Sequence, residues 1–120
     1  MAHGEGGFTL IEVLVVLLIV AILAGVALPK VSATREKAYV AAMKSDLRNL
    51  GAAQAAYFAR NDTFAASLPS GEYNTSEGVT VVIDSATATG WGAHASHQAT
   101  TITCTASDSA SGTQPPTCGN

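Results

Sequence analysis

The chain opens polar, turns apolar for the length of a bilayer, and then becomes amphipathic. From Phe8 to Leu28 an apolar run of 21 residues holds one charged side chain, Glu12. At 1.5 Å per residue a helix of that length extends about 31 Å, close to the hydrocarbon thickness of a membrane. Val, Leu and Ile fill it with little periodicity, and a helix apolar all round is buried in lipid or among other helices. Pro29 ends the run. It lacks a backbone donor and is expected to kink the helix, with Gly25 weakening the turn before it. Residues 8–29 are therefore expected to form a hydrophobic transmembrane helix. Residues 30–62 continue it as an amphipathic half, in which Met43, Leu47, Leu50 and Tyr57 fall on one stripe. Glu36, Lys37, Lys44, Asp46 and Arg48 are read as lying largely off that stripe, and Asn61-Asp62 as its stop.

The pattern changes after that. "TFAASLPSGEYNTSEG" is loop-like, punctuated by Pro69, Gly71 and Gly78. Val79–Asp84 predicts a β-branched strand, "GWGAHASH" a second and Ala99–Ala106 a third. Trp91 is expected to cover the sheet or the helix. Strands after one long helix give an α+β fold class: a long N-terminal helix, kinked near Pro29, with a small antiparallel sheet packed on its C-terminal half. Residues 63–120 supply the loop, the sheet and a C-terminal disulfide loop.

Composition sharpens this. The 120 residues are 48% hydrophobic, 6% aromatic and 12% charged, with the apolar excess concentrated before Pro29. The remainder has a thin core, and small domains of that kind often need a staple. Cys104 and Cys118, the only cysteines, flank the low-complexity "TASDSASGTQPPT". The pair reads as a disulfide formed in an oxidising compartment, stabilising by roughly 3 kcal/mol in a loop-closure estimate. A net charge of −3 argues against a nonspecific phosphate-binding surface and leaves room for a local basic patch.

A cleaved secretory signal is the first alternative for the apolar run. Such a signal has a basic start, a shorter apolar stretch and a small-residue cleavage site after it. "MAHGEGG" has no Lys or Arg, the run is too long, and the helical pattern continues beyond Pro29. Glu12 leaves two readings open. A carboxylate near the end of a span can snorkel to the headgroups, or it can await a cation from another chain.

Gly7-Phe8-Thr9-Leu10-Ile11-Glu12, followed by the apolar run and Pro29, resembles the type IV pilins and their pseudopilin relatives. The resemblance covers roughly the first 60 residues. It implies a leader, residues 1–7, removed by prepilin peptidase between Gly7 and Phe8, and N-methylation of Phe8. It also implies that the Phe8 ammonium of one subunit pairs with Glu12 of a neighbour, and that the helix bends or unwinds around Gly25 and Pro29. The implied function is a structural subunit polymerising through its N-terminal helix into a bacterial type IV pilus for adhesion, motility or DNA uptake. The implied partners are other pilin subunits, the peptidase, an inner-membrane assembly platform and the inner membrane itself. Nucleic acid enters only as something a pilus takes up. The precursor would sit in the inner membrane and the mature subunit in an extracellular filament. One alternative is a pseudopilin of a type II secretion system, whose members often carry a calcium loop where this chain has its cysteines. Another is a monomeric membrane-anchored periplasmic binding module or enzyme, which would account for the span and the disulfide but not for GGFTLIE. Family leaders usually carry Lys or Arg, whereas here His3 and Glu5 precede the run and Lys30, Arg35 and Lys37 follow it. A naive positive-inside reading would reverse the orientation, and the motif is given precedence.

The remaining chemistry does not point to an enzyme. His94 and His97 would face opposite sides of a strand and read as exposed polar residues rather than metal ligands. Asp62, Glu72, Glu77 and Asp84 are scattered, without calcium-loop spacing. No nucleophile elbow, phosphate loop or Cys/His nucleophile pattern occurs, so no cofactor and no metal are expected. Asn61-Asp62-Thr63 and Asn74-Thr75-Ser76 match the short glycosylation acceptor pattern, which recurs by chance.

Overall fold

The computed structural model describes residues 7–69, 71–109 and 112–120. Residues 1–6, with His3 and Glu5, lie outside the described residues. The fold is α+β. One helix, α1 (Leu10–Asn61), is followed by β1 (Val79–Ala86), β2 (Gly90–His97), β3 (Thr103–Ser109) and β4 (Gly112–Gly119). The strands form one antiparallel sheet in the order β1-β2-β3-β4, packed against the helix. The chain divides into two units, one ending at Arg35 and one spanning Glu36–Asn120.

In the first unit the helix is exposed all round. Leu14, Leu17, Leu23 and Leu28 are each more than half exposed, at 58%, 63%, 64% and 69%. Helical structure runs unbroken through Gly25 and Pro29. Pro29 has no N–H to donate to the Gly25 carbonyl, so one rung of the hydrogen-bond ladder is missing while the helix itself continues.

The second unit builds its core from large helix side chains and small sheet side chains. Met43, Leu47 and Leu50 are fully buried against Val79, Trp91, Ala93, Ala95, Cys104 and Ala106. The stripe read from the sequence thus meets the sheet, with Tyr57 half-buried at its end. Trp91 is buried and reaches helix position Gly51, where an added Cβ would lie 3.5 Å from its ring. Along β2 the side chains of Trp91, Ala93 and Ala95 point inward, alternating with half-buried Gly92, His94 and Ser96. Alanine on the inner face lets the sheet approach the helix, so shape at this junction comes from the helix.

Two expectations are corrected. Asp46 is buried, at 3% exposure, rather than lying off the core stripe. Its carboxylate accepts from Ser76 N and Ser76 Oγ, both at 2.8 Å, and its carbonyl accepts from Tyr73 Oη at 2.8 Å. A buried carboxylate is tolerated because two protein donors replace its water. The third strand begins at Thr103 instead of Ala99, because residues 97–102 close a turn. In that turn Thr100 N donates to the His97 carbonyl and Ala99 N to His97 Nδ1.

The tail also pairs, as β4, where the sequence suggested only a tied-down loop. Cys104 and Cys118 are direct cross-strand partners with Cα atoms 4.0 Å apart, and they form the disulfide. Among the described residues of β4 only Pro116 and Cys118 are even half-buried. The strand is held by its ladder and its covalent bond rather than by the core. Pro115 and Pro116 sit on this edge, where a missing donor costs least and unwanted strand addition is blocked.

The connecting loop is anchored to the helix in three places. Gln54, fully buried, donates to the Ala65 carbonyl and accepts from Ala65 N, both at 2.8 Å. Arg60 pairs with both oxygens of Glu72, at 3.0 and 3.1 Å. Asp46 provides the third anchor through Ser76 and Tyr73. Gly78 then turns the chain into β1 with φ +80, and an added Cβ would sit 2.8 Å from His97 Nε2. Both space and dihedral call for glycine there.

Candidate functional site

The start of α1 brings Gly7, Phe8, Thr9 and Glu12 together. Gly7, Phe8 and Thr9 precede the helix without helical structure, and Phe8 is 84% exposed. Among the described residues no atom lies within 4 Å of a Cβ placed on Gly7.

Thr9 caps the helix. Its hydroxyl accepts from Glu12 N at 3.2 Å, and Glu12 Oε2 accepts from Thr9 N at 2.8 Å and Thr9 Oγ1 at 3.2 Å. The Thr9 carbonyl receives the first helical bond, from Val13 N at 3.3 Å. This is a reciprocal capping box, which satisfies two backbone donors that would otherwise be orphaned in an apolar setting. A carboxylate in the first turn is also favoured by the helix dipole. Both of its bonds use Oε2. Oε1 takes none among the described residues. Glu12 is therefore neither a bare charge nor a fully satisfied one: one oxygen is committed to its own helix and the other is open. Around it Leu10 and Ile11 are 85% and 71% exposed, so the open oxygen stands in an apolar surface.

Thr9 was missed as a functional residue. The signal was present as Thr9-x-x-Glu12, the capping-box pattern, and was masked by reading Glu12 only for its charge.

The other singled-out residues lie elsewhere. Gly25 and Pro29 are on the same helix, farther along it. Cys104 and Cys118 close the last hairpin of the second unit. His94 and His97 do face opposite sides of β2, but both are half-buried and partnered. His94 Nδ1 meets Asp84 at 2.8 Å, and His97 stacks on Tyr39 with ring centroids 4.2 Å apart. A bulge at Asp84, where the β1 register slips between Ile83 and Ser85, places that carboxylate beside His94. Among the described residues no group of three or more His, Cys, Asp or Glu is arranged to hold a metal ion.

Burial pushes the Tyr73 phenol up from 10.0 to about 12, reinforced by the negative charge of Asp46. That places the perturbed group at the loop–helix anchor, away from the helix start.

The model of the family described as the prokaryotic N-terminal methylation motif matches residues 3–28. No curated protein matches the chain. The matched stretch contains the Gly7–Phe8 bond, the capping box and the apolar first part, to Leu28, of a helix long and apolar enough to cross a membrane. Such a helix fits an inner-membrane precursor, and a motif of this kind fits a structural protein. Within residues 3–28 the chain carries the methylation motif of a type IV prepilin leader, and it fits a type IV pilin or pseudopilin.

Proposed function

We propose that the chain is a structural subunit of a bacterial type IV pilus, polymerising through its N-terminal helix. The observation that supports this most is the methylation motif running directly into an apolar helix whose described residues are exposed all round. Cleavage after Gly7 makes Phe8 the N-terminus. An α-amino group has an ordinary pKa near 8, so Phe8 carries a positive charge at neutral pH. In a bundle of such helices the Phe8 ammonium of one subunit meets the open Oε1 of Glu12 on a neighbour. A charge pair in an apolar setting adds little net stability but penalises every register that leaves either charge alone. Glu12 thereby sets the stagger between subunits, while its Oε2 keeps the helix start intact. The hairpin closed by Cys104–Cys118 supports the pilus subunit over a secretion pseudopilin.

The mass of the mature chain tests the processing. Loss of Met1–Gly7 with the gain of one methyl group is expected. A chain retaining the leader in cells that contain the peptidase would contradict the reading. Gly7→Leu is expected to accumulate as full-length precursor in the membrane.

A further inference from the structure

The two histidines of β2 hold their rings in opposite hydrogen-bonding roles. His94 Nδ1 faces both oxygens of Asp84, at 2.8 and 2.9 Å. An ionised carboxylate only accepts, so the proton of that contact sits on Nδ1, and a second proton on the ring leaves it in place. His97 Nδ1 lies 3.0 Å from Ala99 N. A backbone amide only donates, so this Nδ1 is bare and the neutral ring carries its proton on Nε2. The bond runs from a side chain to the amide two residues on, as in an Asx turn. Asn and Asp make that turn with an oxygen. An imidazole in the same place loses its acceptor by taking up a proton.

The ring itself is held. It stacks on Tyr39 of α1, with centroids 4.2 Å apart and planes inclined by 21°. A cation over an aromatic face is attracted to it, so charging the ring favours the stack. Rotating the ring does not restore the bond, because both nitrogens of an imidazolium are donors. The turn is therefore the part that yields. Ala99 is exposed, so its released amide passes to water. Gln98 N to the Gly78 carbonyl, at 3.2 Å, and Thr100 N to the His97 carbonyl, at 3.3 Å, do not involve the ring. On α1, Glu36 lies three residues before Tyr39 and lines an open hollow with Gln98, Ala99, Thr100 and Thr101. Lys37 is two residues before Tyr39, on another side of the helix, and Arg35, four before, belongs to the other unit. From the loop, Glu77 precedes Gly78, and β1 places Val79 opposite His97. Glu36 and Glu77 favour a charged ring and Arg35 opposes it, and the acceptor for Ala99 is lost in either case.

We propose that His97 is a proton-operated latch on the connection between β2 and β3, closed while its ring is neutral and released when Nδ1 is protonated. Histidine ordinarily changes charge between about pH 5 and pH 8, so mild acid is the trigger. The latch lies wholly within the unit Glu36–Asn120 and does not depend on the polymer reading.

The test is nuclear magnetic resonance of the full-length chain in detergent micelles at about pH 8 and about pH 5. Imidazole nitrogen shifts report the tautomer, and hydrogen exchange, corrected for its intrinsic pH dependence, reports protection of the Ala99 amide. At the higher pH the neutral His97 ring is expected to carry its proton on Nε2. At the lower pH protection of Ala99 is expected to fall about two- to tenfold, the factor for loss of one ordinary hydrogen bond, while that of Cys104 holds. His97→Asn supplies an oxygen acceptor that does not titrate, so its Ala99 protection is expected to be the same at both pH values. His97→Phe keeps a ring on Tyr39 without an acceptor, and its protection is expected to be low at both. A neutral His97 protonated on Nδ1, equal Ala99 protection in the wild type at both pH values, or the wild-type loss recurring in His97→Asn overturns the latch. An equal loss at Cys104 would show general unfolding and overturn it as well. The wild-type measurement decides alone where a variant does not fold.

Discussion

Glu12 does two things with two oxygens. Oε2 closes the capping box with Thr9, and Oε1 remains for a partner. Thr9→Val keeps the shape of the side chain and removes the hydroxyl that receives Glu12 N. Loss of such a cap typically costs about 1 kcal/mol. Amide exchange at Glu12 in detergent-solubilised mature chain is expected to speed up in that variant; unchanged protection would show that the hydroxyl does not hold the helix start. Gln54 is the corresponding residue in the second unit. Gln54→Ala would strand the buried Ala65 amide and carbonyl, each at a cost of about 1–3 kcal/mol. Chemical denaturation should show that loss, and a change below 1 kcal/mol would mean that water replaces the glutamine. Tyr73 gives a pH dependence with a definite sign. Its folded pKa, raised from 10.0 to about 12, stabilises the neutral phenol in the native state. That contribution is complete below pH 10 and is lost as pH rises towards 12. Stability of the wild type is therefore expected to fall more steeply through that window than that of Tyr73→Phe. Parallel curves would remove Tyr73 as the cause.

At the scale of elements, β4 is the strand most dependent on a single bond. Its side chains contribute little to the core, and Cys118 is half-buried while Cys104 is fully buried. Cys118→Ser is expected to cost about 3 kcal/mol, following the loop-closure estimate for a separation of 14 residues. It should also raise amide exchange across Gly112–Gly119 more than across β2. Equal exchange in both strands would mean that the ladder alone holds β4. The same strand shows why part of the fold was hidden in the sequence. Its residues, GTQPPTCG, are small, polar or proline, so neither alternation nor β-branching marks it, and its pairing comes from the neighbour and the disulfide. The first half of the long helix was legible from the length of its apolar run, its second half from the Met43–Leu47–Leu50 stripe, and β1 from its β-branched residues. Asp46 was not. Its burial depends on Ser76 and Tyr73, 30 and 27 residues away, and no local pattern announces such partners. Of the candidate site, Gly7, Phe8 and Glu12 could be read from the motif, whereas the cap between Thr9 and Glu12 needed the pattern to be read as backbone chemistry.

On the scale of the whole molecule, the two units place their interaction chemistry differently. The first exposes an apolar helix with one half-committed carboxylate, and the second shields a thin core between its helix and its sheet. The central claim is that Glu12 acts between subunits. Sheared-filament yield from Glu12→Ala, measured beside mature membrane-bound protein, tests it most directly. Cleavage and insertion should continue, since removing a charge favours the bilayer. The Phe8 ammonium of each neighbour would lose its partner, a loss of about 3–5 kcal/mol per subunit when one side of a buried pair is removed. The account predicts that filament yield collapses while mature protein persists in the membrane, with Glu12→Gln recovering only part of it. Wild-type filament levels from Glu12→Ala would contradict the claim and leave Glu12 with its cap alone.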